Sequence, residues 1–126
     1  MTLKVSFDHL EVHVQNILKY SNFLLKIFEG GETKIINDNG TSMFKSPEGL
    51  FIEIKKKISL EESINVGFCQ PCLRRTNAKY FIEHQLNLDI IEKSKNEMGN
   101  IYFFKDHENI IWHIKDYLDR DANTNW

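Results

Sequence analysis

"SPEGLFIEI" at residues 46–54 and "DHENIIWHI" at residues 106–114 are two versions of one pattern, offset by 60 positions. Each opens on a turn and continues as three apolar residues, one polar residue and one apolar residue. Runs of this kind bounded by turn chemistry read as strands, with side chains alternating between two faces. Ile52 and Ile54, like Trp112 and Ile114, then fall on one face, and Glu53 and His113 occupy the same place on the other. A repeated strand at a fixed offset predicts that the chain contains one supersecondary unit twice.

The residues around the first copy complete that unit. "KVSFDHLEVHV" at 4–14 alternates as a strand, with Leu10, Val12 and Val14 on one face and Phe7, His9, Glu11 and His13 on the other. Asn16 is a candidate N-cap for a helix carrying Ile17, Leu18, Tyr20, Phe23, Leu24 and Ile27, and Gly30-Gly31 stops it. "ETKIINDNG" and "TSMFKS" read as a hairpin around Asn39-Gly40. "LFIEIKKK" is the last strand, giving β-α-β-β-β. After "SLEES" the order recurs: "INVGFC" as a strand, "TNAKYFIEHQL" as a helix capped by Thr76, and three strands in "LDIIEKS", "NIYFFKD" and "NIIWHIKDYL". The "LKY" of 18–20 and the "AKY" of 78–80 occupy corresponding helices at the same offset.

The totals narrow the class. A chain of 126 residues, 41% hydrophobic and 27% charged, is ordinary for one globular domain. A formal charge of −2 argues against a nucleic-acid partner, which a basic surface would attract. No apolar run approaches the roughly 20 residues of a membrane span, and no secretory leader is visible, so a cytoplasmic protein without a membrane partner is expected. "CQPC" holds Cys69 and Cys72, a spacing found in redox pairs and in half zinc sites. No second half-site accompanies it.

These residues resemble the vicinal oxygen chelate superfamily, which includes glyoxalase I, the bleomycin-resistance proteins and the extradiol dioxygenases. "FDHLEVHVQN" looks like its opening Asp-His strand leading into a capped helix. "SPEGLFIEI" is similar to its Asp-Pro-Asp-Gly-Asn-x-Ile-Glu-Leu signature, and "INVGF" resembles its second opening strand. The resemblance spans residues 5–118. It implies an α+β fold in which two βαβββ modules form a curled, half-barrel mixed sheet around a pocket, with helices outside. Module one covers about 4–58, module two about 62–118, and 119–126 is a polar tail of the same single domain.

In such a family metal ligands come from the first and last strand of each module. Carried onto this chain, those positions are His9, Glu53, Asn65 and His113, with Asn65 standing where a His is usual and His113 where a Glu is usual. The implied metal set is His9, Glu53 and His113, suited to Fe, Ni, Mn or Zn. Glu11 and Glu53 are the candidates for moving a proton. Phe7, His13, Phe51, Asn65, Cys69 and Ile111 are expected to line the ligand pocket, Cys69 also being a reserve ligand opposite His9. Lys55, Lys56 and Lys57 read as a solvated strand end.

The resemblance implies a protein that binds a small molecule in the half-barrel pocket, in a form that does not require metal. The alternative is a divalent-metal-dependent lyase, isomerase or epimerase working through His9, Glu53 and His113. A homodimer is implied in either case.

Overall fold

The computed structural model describes residues 7–57 and 70–118. The chain divides into two compact units, Met1–Glu62 and Ser63–Trp126. Each holds a four-stranded mixed sheet with one helical segment, so the fold is α+β.

In the first unit β1 (Leu10–Val14) leads into α1 (Ile17–Ile27), followed by β2 (Glu32–Ile35), β3 (Ser42–Lys45) and β4 (Phe51–Lys56). The sheet order is β1-β4-β3-β2. β1 runs parallel to β4, a pairing that the long connection through α1, β2 and β3 allows, whereas β2, β3 and β4 are antiparallel neighbours. The second unit repeats this as β5 (Cys72–Arg74), α2 (Ala78–Tyr80), a π-helical turn (Phe81–Gln85), β6 (Ile90–Asn96), β7 (Gly99–Lys105) and β8 (Ile111–Lys115), in the order β5-β8-β7-β6.

The helix α1 forms where its sequence places it. Asn16 is extended and its side-chain oxygen accepts the amide of Lys19 at 2.9 Å, satisfying one of the unpaired donors at the helix start. Tyr20, Leu24 and Ile27 are buried, and they share the core of this unit with Val14, Phe44, Ile52 and Ile54. Leu18, though apolar, is on the outer side and 71% exposed. The hairpin between β2 and β3 exists, but its turn spans Asn37 to Gly40 and not Asn39-Gly40 alone. Gly40 donates to the Asn37 carbonyl, and the Asn37 side chain accepts from Asn39 and Thr41.

The repeated turns match atom for atom in their backbone. Leu50 and Ser46 pair through their main chains, as do Ile110 and Asp106. The Ser46 hydroxyl accepts the Leu50 amide at 2.9 Å, and Asp106 Oδ1 accepts the Ile110 amide at 3.0 Å. Gly49 and Asn109, two residues before the strand in each copy, are both left-handed, with φ of 97° and 66°; Gly and Asn are the residues that tolerate it.

Two expectations are corrected in the second unit. The strand that pairs with β8 is Cys72–Arg74, in a stretch the sequence gives as a break between strand and helix. Pro71 is tolerated because it sits just ahead of the strand, where its carbonyl accepts the His113 amide and its missing N–H costs nothing. The "INVGFC" strand of the sequence reading lies outside the described residues. The helix also shifts. Asn77, not Thr76, holds the N-cap position, and it has a left-handed φ of 55° with no capping bond from its side chain. Ala78, Phe81, Ile82 and Leu86 are buried, whereas Tyr80 is 59% exposed, so it is not the counterpart of buried Tyr20. A π-helical turn, which carries more residues per turn than an α-helix, continues α2 over Phe81–Gln85.

Candidate functional site

Strand alternation puts Ile52, Ile54, Trp112 and Ile114 in the two cores. The opposite faces carry the chemistry. In the first unit the parallel ladder sets Glu11 beside Glu53 and His13 beside Lys55, and registered neighbours project to the same side. Phe51 precedes them on that face, with the Lys45 ammonium 5.8 Å from its ring centre.

His9 stands just ahead of β1. Its Nδ1 lies 2.6 Å from Asp8 Oδ2 and its Nε2 lies 3.8 Å from Glu53 Oε1. His13 Nε2 meets Glu11 Oε2 at 2.7 Å. Lys55 bridges both carboxylates, at 3.1 Å from Glu11 Oε1 and 3.5 Å from Glu53 Oε1. The electrostatics follow from these contacts. Hydrogen bonds from His13 and then Lys55 hold the Glu11 carboxyl down to about 2, so it is ionised at neutral pH. The Asp8 carboxylate, foremost, raises His9 above the usual imidazole range. Lys55 is raised in turn by Glu11.

One nitrogen of His9 and one oxygen each of Glu11 and Glu53 lie within 4.8 Å of one another. Two ligands of a single first-row dication, each about 2.1 Å from it, stand at most about 4.2 Å apart. The set therefore closes on an ion with small side-chain rotations, which the partly exposed Glu11 can make. An imidazole with two carboxylates is a borderline-to-hard donor set that fits Mn, Fe or Zn.

No protein-family model matches the sequence, and no curated protein does. Solved structures do match. The fosfomycin resistance protein FosX from Listeria monocytogenes aligns at a TM-score of 0.70 and 17% identity, covering 98% of this chain and 100% of that one. FosX from Mesorhizobium loti gives 0.60 at 14% identity, covering 90% and 92%. An integron cassette protein from the mobile metagenome of V. cholerae gives 0.57 at 20%, covering 90% and 97%. The fold is the one these fosfomycin resistance proteins have. One Listeria FosX structure with this fold holds Mn(II) and 1S,2S-dihydroxypropylphosphonic acid, at a TM-score of 0.68 and 17% identity over 98% of both chains.

Within this fold, the expected residues fare differently. His9, Glu11 and Glu53 come together, and His13 joins them through Glu11. Phe51 shares their face, but Phe7 is 72% exposed. Asn65 and Cys69 lie outside the described residues. His113 and Ile111 belong to the second unit, two residues apart on one face of β8. There the ladder neighbour of His113 is Cys72, which holds the register place that Glu11 holds in the first unit. Burial raises the Cys72 thiol, which keeps it protonated at neutral pH.

Lys55 and Asp8 are the two residues sequence reasoning missed. The signal was present for Lys55: of the three consecutive lysines, alternation puts only Lys55 on the Glu53 side among the residues of β4. Lys56 turns the other way and donates to the Gln15 carbonyl.

His113 stacks on Phe103, with ring centres 4.9 Å apart and planes 16° apart, and its buried Nδ1 has no hydrogen-bond partner among the described residues. Burial, then Lys115, pushes its pKa below 6.5. The unfolded chain thus takes up a proton that the folded chain refuses, and this residue's contribution to stability is lost as pH falls below 6.5. His113→Phe keeps the stack and removes that loss. Urea titrations at two pH values spanning 6.5 should show a smaller drop on acidification in the variant than in the parent.

Proposed function

We propose that this protein binds a small, oxygen-rich molecule through a divalent cation held by His9, Glu11 and Glu53. The observation that carries the reading is the convergence of one imidazole and two carboxylates from β1, its leading residue and β4 within 4.8 Å. A dication bound there supplies a Lewis acid for a carbonyl or oxyanion of the ligand. The chain's own residues do the rest. Asp8 orients the His9 ring by engaging Nδ1, which leaves Nε2 directed at Glu53, a supporting contact that fixes ligand geometry. Glu11 stays ionised through His13 and Lys55, so its carboxylate keeps the negative charge that a dication attracts across neutral pH.

A second reading, a metal-free binder, is favoured by Lys55, whose ammonium already bridges both carboxylates and offsets one of their two charges. One experiment separates the two. Purified protein stripped with chelator is titrated calorimetrically with Mn(II), Ni(II), Zn(II) and anaerobic Fe(II), followed by dihydroxypropylphosphonic acid as a first oxygen-donor probe. One equivalent of cation should bind, and Glu53→Gln or His9→Ala should weaken it by at least about 100-fold. Absence of stoichiometric binding by all four ions would leave the metal-free reading standing alone.

A further inference from the structure

We propose that Lys55 is a built-in competitor for the cation, setting the affinity and charge preference of the site. This rests on the metal-binding reading above. Three of the four carboxylate oxygens at the site already face a cationic or imidazole partner. Glu11 Oε1 is 3.1 Å from the Lys55 ammonium and Glu11 Oε2 is 2.7 Å from His13. Glu53 Oε1 is shared between Lys55 at 3.5 Å and His9 Nε2 at 3.8 Å. An incoming ion therefore reaches Glu11 Oε1 and Glu53 Oε1 only by displacing the ammonium.

The geometry makes that displacement feasible. Lys55 is registered opposite His13, one step beyond the Glu11–Glu53 pair, so its stem must bend back along the strand to bridge them. Its side chain is 41% exposed, and an exposed four-carbon stem can swing its charge into solvent. The bridge has a function without metal too. Glu11 and Glu53 are adjacent like charges in a parallel ladder, an arrangement that is unfavourable unless a cation lies between them. The site thus alternates between two cations, a tethered monovalent one and a free divalent one. A monovalent ion offers the carboxylates no more charge than the ammonium it would replace, so the tether selects for dications.

Substitution at Lys55 gives an ordered test. Lys55→Met keeps the apolar stem and removes the competitor, so Mn(II) should bind roughly tenfold tighter, since exposed ion pairs are each worth a few-fold. Lys55→Arg grips two carboxylates with a planar fork and should bind Mn(II) several-fold more weakly than wild type. The stabilisation by saturating Mn(II), read as a rise in Tm, should be largest in Lys55→Met and smallest in Lys55→Arg. A residue that merely packs against the site would not produce that order. Equal Mn(II) affinity in wild type and Lys55→Met overturns the competitor role and leaves the metal site intact. No Mn(II) binding in any of the three overturns both.

Discussion

Replacing Asp106 with Ala should lower the unfolding free energy by about 3 kcal/mol, since a buried donor stripped of its acceptor costs about 1–3 kcal/mol. Asp106 is 3% exposed. Its Oδ1 accepts the amides of Glu108 and Ile110 at 2.8 and 3.0 Å, and its Oδ2 accepts the Trp112 indole N–H at 2.9 Å. The carboxylate therefore closes the turn and pairs the one polar atom that Trp112 brings into the core. The first unit shows why Asp is needed here. Ser46 occupies the equivalent turn with a single hydroxyl, which suffices because Ile52 stands where Trp112 does and has no polar atom. In a Trp112→Phe background the Asp106→Ala change should cost about 1–2 kcal/mol less, the indole no longer being stranded. Chemical denaturation of the two single variants and the double variant measures this coupling. Additive effects would show that the indole contact is not stabilising.

A second large loss is expected from Gly31→Ala, at about 3 kcal/mol, combining a positive φ with overpacking. Gly31 has φ +115°, and a Cβ there would lie 2.5 Å from the Lys45 carbonyl oxygen and 2.8 Å from Phe44 Cε1. The carbonyl belongs to β3, whose Lys45 is registered with Glu32, so it cannot retreat without opening the hairpin ladder. Phe44 is fully buried and equally unable to move. Gly40→Ala is the control: its φ is +86°, but nothing lies within 4 Å of the new methyl. That variant should lose only about 1 kcal/mol, the backbone term alone. Equal losses in the two variants, measured by thermal unfolding, would mean that the close approach at Gly31 contributes nothing.

Both residues show how far the sequence could be read. The duplicated turn and strand at 46–54 and 106–114 are visible because each is local: a left-handed Gly or Asn, then alternation with period two. The capped helix from Asn16 is equally local. The second helix takes its N-cap at Asn77 and not at Thr76, because a left-handed cap with no capping bond leaves no mark on residue spacing. The strand at Cys72–Arg74 was missed for a related reason. Three residues are too few for a periodic signal, and what makes them a strand is their ladder with β8.

The candidate site divides along the same line. Sequence alone determined that Glu11, His13, Glu53 and His113 stand on the faces opposite the cores, since alternation next to a buried Ile or Trp admits no other side. It also gave the two-module α+β architecture. Only tertiary structure decided that Glu11 lies beside Glu53, that Lys55 bends back to bridge them, and that Cys72 neighbours His113. Those facts depend on the register of parallel strands joined through a helix and two further strands. Packing of the whole unit sets that register, so no pattern confined to one segment reveals it.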